Sequence, residues 1–168
     1  MTGQSIGFGG GCHWCTEAVF QSIIGVSKVE QGWIASEGVY SSFSEAVILR
    51  FNAELISLQT LIEIHLLTHA SSANHSFRNK YRSAIYYIGE EQQSAVEKAF
   101  SQAKLSLDKE PITKILPIID FKLNEEEFLN YYQRRPEAPF CKTYISPKLT
   151  MLRKRYTKQL NLTNLTIC

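Results

Sequence analysis

Two cysteines three residues apart, Cys12 and Cys15, are the side chains in this chain best placed to do chemistry. They bracket His13 and Trp14, and the glycines Gly9-Gly10-Gly11 precede them. A glycine loop turns sharply and lets backbone approach a ligand, because no Cβ blocks the way. A thiol where such a loop enters a helix meets free N–H groups and the positive end of the helix dipole, which favours its thiolate. The spacing has three uses. It supplies half of a zinc site, but Cys141 and Cys168 form no second pair, and His13, His65, His69 and His75 complete no standard zinc pattern. It supports disulfide exchange, with Cys12 attacking and Cys15 resolving. Or Cys12 alone is a nucleophile towards a small electrophile, and other thiols remove the oxidised product.

Those thiols need a scaffold, and 168 residues suffice for one domain with a real core. A single domain over 1–168 is expected, with 159–168 as a flexible tail. The net charge of +2 balances 18 basic against 16 acidic residues, which argues against a nucleic-acid partner. The late basic residues Lys148, Arg153, Lys154, Arg155 and Lys158 read as a solvated helix face. The apolar stretch from Leu55 to Leu67 is interrupted by Ser57, Gln59, Glu63 and His65 and is too short to span a bilayer. The first residues lack the pattern of a signal peptide. A cytoplasmic protein without a membrane segment is expected, and there cysteines serve catalysis or metal binding more often than permanent disulfides.

Gln4 to Phe8 reads as a strand into the glycine loop. Cys15 to Ile24 has helical spacing and ends at Gly25, a C′ glycine. Val26 to Ile34 and Glu45 to Phe51 read as strands. Ser57 is a helix N-cap for the segment carrying Leu58, Leu61, Ile62, Ile64 and Leu67. His69 to Arg82 lacks periodicity and reads as a long loop. A strand follows at Ser83 to Ile88, and a helix at Glu90 to Ala103. A strand at Ile112 to Ile118 is confined to an edge by Pro117. Asn124 caps a helix through Tyr132, and Pro147 opens a last basic helix to about Lys158. Strand, helix, strand, strand, helix, strand is a split β-α-β pattern. It predicts an α+β two-layer sandwich with a mixed or antiparallel sheet and a ferredoxin-like core.

Gly10-Gly11-Cys12-His13-Trp14-Cys15-Thr16-Glu17 resembles the Gly-Gly-Cys-Phe-Trp-Cys-x-Glu signature of the type A peptide methionine sulfoxide reductases. Lys80-Tyr81-Arg82-Ser83-Ala84-Ile85-Tyr86-Tyr87 is similar to that family's Gln-Tyr-Arg-Ser-Ala-Ile-Phe-Tyr. Phe43-Ser44-Glu45-Ala46-Val47 stands where the family has His-Ala-Glu-Val-Val. Pro139-Phe140-Cys141 and Ile145-Ser146-Pro147-Lys148-Leu149 resemble its ending. The resemblance runs from about residue 5 to 158. It implies reduction of methionine S-sulfoxide, free or in proteins, with no cofactor and no metal. Cys12 is then the nucleophile, Glu45 the proton donor to the sulfoxide oxygen, and Tyr81 a hydrogen-bond donor to it. Cys12 becomes a sulfenic acid, which a second thiol converts to a disulfide that thioredoxin or a similar reductant opens. Cys15, Cys141 and Cys168 are the resolving candidates. His13, Trp14 and Trp33 fall in the substrate pocket. A monomer is expected, and Glu17 reads as structural.

The departures from the pattern cluster in the site. His13 replaces a phenylalanine. Gly32-Trp33 stands where the family has Gly-Tyr, and Ala35-Ser36 replaces a glycine pair. Ser76 replaces an aspartate in the loop before Tyr81, and a serine cannot order neighbouring N–H groups as a carboxylate does. Glu127-Phe128-Leu129-Asn130-Tyr131 replaces Glu-Asp-Tyr-His-Gln. A divergent, active reductase retains Cys12, Trp14, Glu45 and Tyr81 for a purpose. The alternatives are a thiol–disulfide exchange protein using Cys12 and Cys15, and a paralogue that binds sulfoxide with little turnover.

Overall fold

The computed structural model describes residues 3–160. Its centre is a six-stranded mixed sheet in the order β5-β4-β1-β3-β2-β6. The strands are β1 (Gln4–Gly9), β2 (Val26–Ala35), β3 (Ser44–Phe51), β4 (Ala84–Tyr87), β5 (Lys114–Pro117) and β6 (Asp120–Leu123). Helix α1 (His13–Gln21) joins β1 to β2, α2 (Leu58–Thr68) joins β3 to β4, and α3 (Glu90–Ala103) joins β4 to β5. The short α4 (Tyr131–Arg134) and α5 (Ser146–Arg155) complete the helices. β3 lies between β1 and β2 and is antiparallel to both, so β1-α1-β2 is a split β-α-β unit. With β4 antiparallel on the other side of β1, the inner four strands have the ferredoxin-like order expected from the sequence. The fold is α+β.

Side-chain alternation explains the layering. Ile6 and Phe8 of β1, Val47, Leu49 and Phe51 of β3, and Ile85 of β4 point to one face. There they bury Ala18, Val19 and Phe20 of α1 and Leu61, Ile62 and Ile64 of α2. The opposite face carries the smaller cluster of Ile34, Ala46, Ala84, Tyr86 and Leu116. Glu45 and Trp33 are register partners across β3 and β2. The alternation puts Glu45 on the same face as Val47, beneath the start of α1.

Local signals set the boundaries. α1 ends at Gln21 with Ser22 as a right-handed C-cap, so Gly25, expected as its C′ residue, instead takes a positive φ of +93 in the turn that leads into β2. The Ser57 side chain accepts from the Thr60 N–H at 3.1 Å and caps α2, an interaction of about 1 kcal/mol. Pro147 sits in the first turn of α5, where its missing N–H costs nothing. β5 is an edge strand that ends at Pro117, parallel to β4.

The structure differs from expectation in four places. α1 runs from His13 to Gln21 rather than from Cys15 to Ile24, and Cys12 is its N-cap. No helix runs from Asn124 through Tyr132: β6 leads directly into Asn124, a tight turn covers Glu126–Phe128, and α4 begins at Tyr131. β6 is short, polar and exposed, which hides it from an apolar pattern. A π-helical turn at Cys141–Ile145 precedes α5. Lys148 does not join the solvated basic face, because its ammonium turns inward and donates to the Thr68 carbonyl.

Leu160 pairs with Ile23, and the Gln159 carbonyl accepts from the Ile24 N–H at 2.6 Å. The first two residues of the expected tail are thus anchored, and the rest of it, Cys168 included, lies outside the described residues. Among the described residues, no helix is long and apolar enough to cross a membrane.

Candidate active site

Cys12 caps α1 with a non-helical backbone, and its carbonyl accepts from the Cys15 and Thr16 N–H groups at 3.1 and 3.2 Å. Its thiol pKa is lowered. The Cys15 thiol donates to its sulfur, and burial opposes this. The Trp14 and Cys15 N–H groups add to the lowering, and the Glu45 charge opposes it. These are the free donors of a helix N-terminus, and they favour the thiolate. The same contact holds the Cys15 proton firmly: its pKa is strongly raised by donation to Cys12 and by burial, while the Lys148 charge works the other way. Cys141 is fully buried beside Cys15, and burial raises its pKa.

The glycine loop is held by a close approach. Gly10 has φ +152, and a Cβ there would meet the His69 ring at 2.5 Å. His69 is fixed between the His65 carbonyl at 2.5 Å and the Ser83 hydroxyl at 2.8 Å. Glycine is therefore required at position 10 by both conformation and space.

Glu45 is buried under α1. Its Oε2 accepts the His13 N–H at 3.0 Å, one residue from Cys12. Its Oε1 lies 3.6 Å from the Lys80 ammonium. The Glu45 N–H and the Ser44 hydroxyl both donate to the Lys80 carbonyl at 2.9 Å. The Arg82 N–H in turn donates to the Ser44 hydroxyl at 2.7 Å. The loop that carries Tyr81 is thereby tied to the start of β3. Tyr81 lines a cavity of 280 Å³ together with Cys12, Cys15, His69, Phe140 and Lys148.

His13 is buried, and its Nδ1 lies 3.0 Å from the Gly32 carbonyl oxygen. Burial lowers its pKa, against the opposing pull of Glu45. Trp33 meets the His13 ring edge-on at 5.2 Å, with the Lys122 ammonium 5.7 Å from its own ring. Trp14 stacks on Tyr131 with ring centres 4.1 Å apart, and Phe140 meets it edge-on at 5.6 Å. Trp14 is half-buried and belongs to an aromatic wall rather than the core. Glu17 lies past the first turn of α1 and is buried, where its carboxylate accepts the Tyr131 N–H at 3.2 Å.

The structure thus gathers Cys12, Cys15 and Tyr81 around one cavity, with Glu45, His13 and Trp33 packed beneath the start of α1. Ser76 is exposed and opens the turn Ser76–Asn79. Loop order comes instead from Arg78, a residue the sequence reading passed over. Its guanidinium donates to the carbonyls of Gly10 at 2.8 Å, Tyr81 at 3.0 Å, Ala70 at 2.5 Å and Ala73 at 2.7 Å. Gln31 carries no signal in the sequence, and Asn124 and Lys148, expected as a helix cap and part of a solvated face, instead face the site. Among the described residues, no group of three His, Cys, Asp or Glu side chains is placed to hold a metal ion.

The family model for peptide methionine sulfoxide reductase matches residues 4–160. The chain belongs to the peptide methionine sulfoxide reductase family. It is an oxidoreductase of the MsrA type, whose reaction is methionine sulfoxide reduction. The reductase is 31% identical over 163 residues to the Acinetobacter baumannii enzyme MsrA, covering 89% of this chain and 94% of that one. It is 27% identical over 169 residues to MsrA of Psychrobacter arcticus, covering 92% and 97%. Among solved structures, reduced Mxr1 of Saccharomyces cerevisiae superposes with a TM-score of 0.66 at 20% identity, over 84% of the reductase and 91% of Mxr1. Methionine sulfoxide reductase A of Corynebacterium diphtheriae gives 0.65 at 17% identity, over 81% and 76%. Mxr1 has also been solved in complex with Trx2, with a TM-score of 0.52 at 18% identity, over 75% of the reductase and 83% of Mxr1.

Proposed function

We propose that the reductase converts methionine S-sulfoxide to methionine with Cys12 as nucleophile, Glu45 as acid and Tyr81 as donor to the sulfoxide oxygen. The observation that carries this is the pairing of a supported Cys12 thiolate with the buried Glu45 carboxyl, which is held on the very next N–H. The thiolate attacks the sulfoxide sulfur. Glu45 supplies one proton to the oxygen; the hydroxyl then passes to the Cys12 sulfur as the methionine sulfur–oxygen bond and the transient bond between methionine sulfur and Cys12 break, and methionine leaves. Methionine sulfur is reduced by two electrons, and Cys12 is oxidised to a sulfenic acid. The Trp14 wall faces the apolar end of the substrate.

Cys15 is the favoured resolving thiol. Its proton is held by the Cys12 thiolate, and that hold ends once Cys12 is a sulfenic acid. Lys148, on the same cavity, then favours the Cys15 thiolate. Attack on the sulfenic sulfur forms the Cys12–Cys15 disulfide and releases water. Cys141, packed near Cys15, is the second candidate. Cys168 lies outside the described residues. A thioredoxin-type dithiol returns the disulfide to thiols, by analogy with the Mxr1 relative crystallised with Trx2.

The test uses fully reduced protein with a blocked methionine S-sulfoxide and no external reductant. Methionine is expected in proportion to protein, absent in Cys12→Ser and absent with the R epimer. No methionine, together with rapid exchange on a small disulfide, would establish a thiol–disulfide exchanger instead.

A further inference from the structure

A separate cavity, of 490 Å³, shares no lining residue with the one that holds Cys12. It lies between the loop that carries Tyr81, the turn Gly38–Tyr40 and the start of β5, and its volume is that of a small-molecule site, about 300–1,000 Å³. Its lining holds three cations, Arg78, Arg82 and Lys114, and no acidic side chain. Among the described residues, none of the three forms an ion pair. Arg82 is 6% exposed, and a charge so buried is ordinarily matched by a counter-charge. Here its partners are neutral. Nη2 donates to the Ser42 carbonyl at 2.8 Å and hydroxyl at 3.1 Å, Nη1 donates to the Tyr86 hydroxyl at 3.4 Å, and the Tyr40 ring lies 5.5 Å from Cζ. Among the described residues, the Nε hydrogen and one on Nη1 find no acceptor. Arg78 gives every donor to a carbonyl, so it adds charge alone. Nothing in the mechanism above uses this cavity.

We propose that this cavity binds a small phosphate-bearing anion, held by the free edge of the Arg82 guanidinium, the Lys114 ammonium and the Asn79 amide. A cleft lined by charge of one sign concentrates counter-ions, and here the charge stands on low-dielectric walls. Three cations without an acid suit a dianion better than a single carboxylate, and a guanidinium edge matches two phosphate oxygens. Tyr40 and Ile112 on the same lining offer apolar contact to the body of an organic phosphate. The site needs no residue of the sulfoxide chemistry, yet it lies against the backbone that presents Tyr81. The Arg82 N–H donates to the Ser44 hydroxyl, which donates to the Lys80 carbonyl. An anion bridging Asn79 and Arg82 to Lys114 clamps that loop, on both sides of Tyr81, to β5. The cavity is thus an effector site behind the loop.

The test is equilibrium dialysis of the full chain against inorganic phosphate and against glucose 6-phosphate, with ionic strength held constant by sodium chloride. Saturable binding is expected, with a urea midpoint that rises as the site fills and slower amide exchange over residues 74–82. Lys114→Glu should weaken binding about 10-fold or more, and Arg82→Gln should abolish it. Where Arg82→Gln does not fold, Lys114→Glu and Asn79→Asp, both on exposed positions, carry the test. Lys154→Glu, an exposed charge reversal on α5, should leave binding in place. Tighter binding of glucose 6-phosphate assigns the site to a phosphorylated metabolite, and tighter binding of inorganic phosphate assigns it to the free ion. Uptake of both that never saturates, or binding weakened as much by Lys154→Glu as by Lys114→Glu, would overturn the inference.

Discussion

The N–H of His13 donates to Oε2 of Glu45 at 3.0 Å, so the residue that follows Cys12 holds the carboxyl proposed as the acid. Helix α1 and strand β3 meet at that bond, and neither partner can shift without moving the other. Geometry at Cys12 is thus set by a carboxyl 33 positions further along the chain.

Glu45→Gln keeps an oxygen for the His13 N–H but cannot supply a proton. Single-turnover methionine formation should fall roughly 100-fold or more, while Cys12 alkylation stays unchanged. An unchanged rate of methionine formation would remove Glu45 from the acid role.

Cys15→Ala removes the largest support of the Cys12 thiolate. The inflection in Cys12 alkylation against pH should move to higher pH, and the disulfide formed after turnover should be lost or rerouted to Cys141. An inflection left in place would show that the helix N–H groups alone hold the thiolate.

Arg78→Ala leaves the carbonyls of Gly10, Ala70, Ala73 and Tyr81 without their donor. A loss of about 2 kcal/mol is expected in urea unfolding, with faster amide exchange over residues 70–81. Arg78→Lys should recover little, because one ammonium cannot reproduce the planar fork. Full recovery by lysine would mean that charge, not geometry, orders the loop.

The pair His65 and His69 makes stability depend on pH. His65 is buried and His69 half-buried, and both have lowered pKa values, His69 down to about 4, through desolvation first. Below the ordinary histidine value the unfolded chain binds more protons than the folded one, so stability falls as pH falls. For His69 the loss spans about pH 6.5 to 4 and reaches roughly 3 kcal/mol. Urea midpoints across that window should drop in the wild type and drop less in His69→Gln. Equal slopes would contradict the assignment.

Alternation and helical spacing made the inner sheet and helices α1 to α3 legible, because Ile6, Phe8, Val47, Leu49 and Phe51 face one core. β6 was hidden, since its burial comes from pairing with Gly32 to Ala35 and not from its own apolar residues. The thiols were legible from spacing, whereas Glu45 and Tyr81 entered only through a family resemblance. Arg78, Lys148 and Asn124 act through carbonyls, cavities and amides contributed by distant segments, and no local pattern announces such contacts.

The oxidised sulfur tests the central claim most directly. In a Cys15→Ala, Cys141→Ala, Cys168→Ala variant, one turnover on the S-sulfoxide in the presence of a nucleophilic sulfenic-acid trap should release methionine and place the trap on Cys12. Methionine release with Cys12 unmodified, or no release from a folded protein, would contradict it.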